Sequence, residues 1–147
     1  MFDFRADISV LLIITPDHLD RYDYKFENYV ASKFRVVRNQ KPSDSFIYCA
    51  DDDAIAQYMN THTIAPEKIP FSIRRQLEPP CAYLNGNQLT LKYKPNQNPL
   101  IMTIEQLALQ GKHNVYNSMA ASLAAQIVNV RKEIIRESLQ DFQNIEH

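Results

Sequence analysis

Glycine is scarce. The chain has two, Gly86 and Gly111, where a domain of this length would carry about ten. No glycine-rich loop of the kind that cradles phosphate can be written from two glycines so far apart. Cysteine is as sparse, with Cys49 and Cys81 in unrelated contexts. That suits reduced thiols in the cytosol better than a disulfide framework or a zinc site. An excess of either charge is missing too: 16 Lys and Arg stand against 17 Asp and Glu, for a net charge of -1. So there is no electrostatic footprint for nucleic acid or for an anionic membrane. No apolar run is long enough to span a bilayer, and the N-terminus lacks the basic flank and cleavage site of a signal peptide. What these absences leave is a cytoplasmic protein, large enough at 17.1 kDa for one domain with a real core.

What is present begins with an apolar run, residues 8–14, that stops abruptly at Thr15-Pro-Asp-His-Leu-Asp-Arg-Tyr22. An unbroken apolar run bounded by polar residues predicts a central parallel strand covered on both faces. In open α/β sheets ligands bind beyond the carboxyl ends of the strands. A hydroxyl, two carboxylates, an imidazole and a guanidinium concentrated there point to a site.

The rest of the chain predicts α/β architecture: a partial parallel sheet with covering helices, plus a small antiparallel β-hairpin sheet at its edge. Apolar residues recur at three- and four-residue steps over 24–37, a helical pattern. A turn at 39–44 leads to a short strand at 46–50. Asp51-Asp-Asp53 then caps a helix through residue 59, since carboxylates suit the positive end of a helix. An alternating strand is expected at 69–74. Strands at 81–84 and 88–93 flank Asn85-Gly86-Asn87, with Asn85-Gly86 as a type I′ turn. A strand at 100–104 and helices at 105–109, 114–128 and 130–142 complete the pattern.

Candidate chemistry lies in two polar clusters. His18 follows the apolar strand among Thr15, Asp17 and Asp20. It serves either as a hydrogen-bonded loop residue or as a ligand. Asp17 and Asp20 suit Mg²⁺ as hard oxygen donors, or equally a helix cap. Lys33, read from composition, is a solvated helix lysine. In Gly111-Lys-His-Asn-Val-Tyr-Asn117, Gly111 suits a tight turn and Asn114 a helix N-cap. Asn114 and Asn117 are three apart, so their amides emerge near one another. They offer the donor and acceptor that an adenine edge needs, or they cap the helix and nothing more.

Together these motifs resemble the Mur ligase family, the ATP-dependent enzymes that build the peptide stem of the peptidoglycan precursor. The strand with Thr15-Pro-Asp-His-Leu-Asp-Arg-Tyr22, Tyr29-Val-Ala-Ser-Lys33, Ala50-Asp-Asp52 and Gly111-Lys-His-Asn-Val-Tyr-Asn117 fall in the family's order and spacing. The form of the first motif is similar to that of the branch adding D-glutamate to UDP-N-acetylmuramoyl-L-alanine. Asp141-Phe-Gln-Asn-Ile-Glu-His147 is similar to the run closing the family's central domain. The match covers nearly the whole chain and is weakest over 60–102.

The resemblance implies roles residue by residue. His18 matches the histidine that helps hold a Mg²⁺, and Lys33 the lysine carbamylated by CO₂ to ligate or orient that metal. Asn114 and Asn117, with His113 beside them, match the contacts to the adenine of ATP. The implied reaction is phosphorylation of a carboxylate to an acyl phosphate, followed by attack of an amine. One departure is Ile13, where the family carries asparagine. The phosphate loop of the family is absent, as are its first and last domains. Residues 1–147 are therefore expected to be the distal part of a central ATP-binding domain, inactive alone and prone to self-association through a truncated sheet edge. Rival readings are a free-standing nucleotide- and Mg²⁺-binding remnant, a structural domain whose polar residues are caps and surface, and another Mur ligase or a folylpolyglutamate synthase relative.

Overall fold

The computed structural model describes residues 5–14 and 25–143; residues 1–4, 15–24 and 144–147 lie outside the description. The described residues form a mixed α/β fold with six strands and five α helices. The chain divides into two compact units, Met1–Ile69 and Pro70–His147.

In the first unit, β1 (Ile8–Leu11) runs parallel to β2 (Ser45–Cys49), with Ile8 opposite Ser45 and Leu11 opposite Tyr48. Between them comes α1 (Phe26–Lys33), followed by a 3-10 turn at Phe34–Val37. The expected single helix thus tightens in its last turn, which satisfies carbonyls that an α-helix end leaves open. The helix α2 (Asp53–Thr61) follows β2, with Asp52 as its cap. Phe34 ties these elements together. It is 3% exposed, meets Phe46 of β2 edge-on at 5.8 Å and stacks on Tyr58 of α2 at 3.9 Å.

The expectation of a central strand covered on both faces is corrected for β1. It ends at Leu11, three residues early, and stands first in the strand order. Ser9 and Leu11 are buried, whereas Val10 is 40% exposed. One cause of the early end is visible. The Ile14 N–H donates to the Asp52 carboxylate at 2.9 Å, which draws the chain out of the ladder toward α2.

A polar network holds the entry end of the pair. Gln40, buried, donates its amide to the Ala6 and Ser45 carbonyls, both at 3.0 Å. Its side-chain oxygen accepts from Ser9 Oγ at 2.8 Å. The Asp44 carboxylate accepts from the Lys41 N–H at 2.7 Å and from Arg5 at 2.6 Å. The Lys41 N–H, assisted by Arg5, holds the Asp44 carboxyl below the usual carboxylate range.

The strand β3 (Glu67–Ser72) runs from the first unit into the second. There Phe71 and Ser72 pair parallel with Ala82 and Tyr83 of β4 (Cys81–Asn85). The antiparallel pairing expected of this strand is thus corrected: the register is parallel. Beyond it the antiparallel hairpin forms as expected, β4 with β5 (Gln88–Lys92) and β5 with β6 (Leu100–Thr103). The hairpin turn sits one residue later than expected. Asn85 pairs with Gln88, so Gly86 and Asn87 form its centre. Only Gly86 has positive φ, at 61°, the sign pattern of type II′ rather than type I′.

Three helices follow: α3 (Glu105–Leu109), α4 (Lys112–Ile127) and α5 (Lys132–Gln143). Along α4, Val115, Met119 and Leu123 are buried at helical spacing, and Tyr116 packs on Phe71 at 5.8 Å. Ser118, Ala120 and Ser122 are buried beside them, small enough for close approach of neighbouring elements. Asn129, at φ 68°, turns the chain from α4 toward α5, a conformation asparagine tolerates. Both cysteines are free and buried, and burial pushes the Cys81 thiol up to about 11. No helix among the described residues is long and apolar enough to cross a membrane.

Candidate functional site

Lys33 ends α1, and its side chain is exposed. Its ammonium lies 5.2 Å from the centre of the Tyr29 ring, one helical turn back. That ring is 5% exposed and stacks on Phe26 at 6.3 Å. A cation over an aromatic face is held electrostatically by about 0.5–1 kcal/mol at an exposed position. The lysine head is therefore loosely parked, with its nitrogen accessible. His18, with Thr15, Asp17 and Asp20, lies outside the described residues. Among the described residues no group of three or more His, Cys, Asp or Glu side chains is placed to hold a metal.

Asp52 has a larger role than the cap expected of it. One carboxylate oxygen accepts from the Ile55 N–H at 3.0 Å, closing the first turn of α2. The other accepts from Ile14, one residue before the polar motif of 15–22 begins. Asp52 thereby ties Ile14, after β1, to the start of α2. The run of aspartates foretold the cap, but nothing in the sequence foretold the bond to Ile14.

In the second unit the cap of α4 is Gly111, not Asn114. Gly111 has φ 108°, a conformation that side chains strain to adopt. A Cβ there would meet nothing within 4 Å, so the requirement is conformational rather than steric. Asn114 falls inside the first turn. Its amide donates back to the Gln110 carbonyl at 3.3 Å and to the Gln110 side chain at 3.4 Å. Asn117 is exposed one turn further on, and His113 is exposed between Lys112 and Asn114. Glycine offers no side-chain oxygen, so no side chain caps the first N–H groups of α4. That leaves helix N–H donors and two carboxamides together at one end of α4. Lys33 belongs to the first unit and this helix end to the second.

A family model described as the Mur ligase middle domain matches residues 1–125. The chain belongs to the Mur ligase family. It is 46% identical over 144 residues to the UDP-N-acetylmuramoylalanine--D-glutamate ligase of Christiangramia forsetii, covering 98% of this chain and 32% of that protein. The proteins of the same name from Porphyromonas gingivalis and Bacteroides fragilis are 43% and 44% identical over 147 residues, with 100% of this chain and 32% of each covered. The chain spans about a third of the length of these curated relatives. The family match covers the motifs with Lys33 and Asp52 and both asparagines of α4.

Proposed function

We propose that this chain is the nucleotide- and metal-binding part of an ATP-dependent ligase that joins D-glutamate to UDP-N-acetylmuramoyl-L-alanine. The observation that carries this reading is identity of 43–46% along the whole chain to ligases of that name. The neutral composition, without a basic stripe, suits small acidic substrates in the cytosol.

Whether the residues suit ATP and Mg²⁺ can be asked of their chemistry. Asn114 spends its amide N–H groups on Gln110, leaving its carbonyl oxygen, and Asn117 presents a whole exposed amide. Those donors and acceptors match the edge of an adenine, with His113 beside them. The amine of Lys33 is accessible for reaction with CO₂. As a carbamate it offers two hard oxygens, the donor type that Mg²⁺ takes, with His18 as its companion. When bound, ATP supplies the phosphoryl group that activates the substrate carboxylate as an acyl phosphate, with Mg²⁺ neutralising phosphate oxygens. Asp52 accepts from the Ile14 N–H, four residues before His18 in the sequence. The buried Tyr29 ring gives Lys33 a fixed platform.

The 147 residues hold no glycine-rich phosphate loop, so this chain alone turns over no ATP. The outer edge of β1, with Val10 exposed, favours self-association of the isolated chain. Sedimentation would show dimers or larger species, and a monomer at all concentrations would count against it.

The test of the ligase reading uses the full-length protein carrying this segment. Phosphate release is followed with ATP, UDP-N-acetylmuramoyl-L-alanine and a panel of amino acids. Turnover with D-glutamate alone is expected. Turnover with another amino acid, or a folate substrate in place of the nucleotide sugar, would move the chain to another branch.

A further inference from the structure

The segment Phe34-Arg-Val-Val-Arg38 carries a feature that the ligase reading does not use. A 3-10 turn has three residues per turn, so side chains three apart lie one above the other. Phe34 and Val37 accordingly share a buried edge, while Arg35 and Arg38 share an exposed one. The Arg38 N–H donates to the Arg35 carbonyl at 3.1 Å, which closes the turn that aligns them. Like charges stacked in this way repel, and a protein ordinarily places a carboxylate between them. Here neither guanidinium has an ion pair or hydrogen bond among the described residues.

Both arginines line a cleft of about 540 Å³ with no carboxylate in its walls among the described residues. That volume falls in the range of small-molecule sites, roughly 300–1,000 Å³. Asn28 and Thr63 add neutral donors at its rim, and Tyr58 and Ile64 add apolar wall. The Tyr58 ring is covered on one side by Phe34 at 3.9 Å and stacked with His62 at 3.8 Å. It has no open face for a nucleobase. We propose that this cleft binds a small, non-aromatic phosphate ester, its dianion held by Arg35 and Arg38. Two guanidinium forks match the charge and the bidentate geometry of a phosphate better than those of a single carboxylate. The site lies wholly within the first unit, and it stands or falls apart from the ligase reading.

The test is calorimetric titration of the full-length protein with glycerol 3-phosphate, and with succinate as a dicarboxylate control. Wild type is expected to bind the phosphate ester and to prefer it to succinate. Arg35→Gln combined with Arg38→Gln should weaken binding at least about tenfold, as loss of charge-assisted hydrogen bonds implies. The same double variant should melt no lower than wild type without ligand, because a repulsion has been removed. Unchanged affinity in the double variant would place the binding elsewhere and overturn the proposal. So would the absence of binding at millimolar phosphate ester, or equal affinity for succinate.

Discussion

The two ends of the β1–β2 pair are built differently. At the entry end, Gln40 bridges both strands through three hydrogen bonds, and Asp44 gathers the Lys41 N–H and Arg5. Gln40, Asp44, Ser9 and Ser45 are all buried. At the exit end, Asp52 joins the chain after β1 to the start of α2. One end is a closed network whose polar groups satisfy one another. The other is a carboxylate that accepts from the Ile14 and Ile55 N–H groups. Among the described residues, the denser polar network thus lies at the entry end. A working site needs polar groups left open, and an unsatisfied buried group would be costly.

That contrast can be broken most severely at Gln40. Gln40→Leu leaves the Ser9 hydroxyl and the Ala6 and Ser45 carbonyls without their partner. A loss of about 3 kcal/mol in urea unfolding is expected, since a buried network is lost as a unit. Asp52→Ala should cost about 2 kcal/mol, through a helix cap and one anchoring bond. Asp52→Asn, which keeps an acceptor, should recover part of it. Gly111→Ala should lower stability by about 1 kcal/mol, from positive φ alone, with no steric contribution.

Acid acts on the entry end through Asp44. The native Asp44 carboxyl holds its proton less tightly than it does in the unfolded chain. Its contribution is therefore complete above the unfolded value, about pH 4, and is lost as pH falls through the lower native one. Melting temperatures followed from about pH 6 to about pH 2 should drop less steeply in Asp44→Asn than in wild type. The smallest effect on stability belongs to Lys33. Among the described residues Lys33→Met forfeits the contact with Tyr29, and unfolding should change by less than about 1 kcal/mol.

Much of this fold was legible in the sequence because it rests on periodicity. The order of strands and helices, the hairpin and the two long C-terminal helices all follow from spacing of apolar residues. Periodicity could not tell that β1 is covered on one face only, since an unbroken apolar run looks the same whether or not a neighbour covers it. Nor could it find the entry-end network. Gln40 and Asp44 sit in a stretch that reads as a solvated turn, and their burial depends on partners from residues 5–9. The cap of α4 was misplaced because Asn114 and Gly111 both suit helix starts. Glycine won because the backbone there needs a positive φ. Lys33, Asn114 and Asn117 had no physical signal of their own beyond accessibility and spacing. They were singled out by motif resemblance; Lys33 and Asn117 are exposed and Asn114 is half-buried.

We propose that Lys33 serves chemistry and not the fold. Its most direct test is turnover by the full-length protein with Lys33→Met, in the presence of ATP, UDP-N-acetylmuramoyl-L-alanine and D-glutamate. The account predicts loss of phosphate release by about a hundredfold or more, the scale expected when a group supporting transition-state charge is removed, with an unchanged melting temperature. Turnover equal to wild type would contradict it and leave Lys33 an ordinary lysine on the surface of α1.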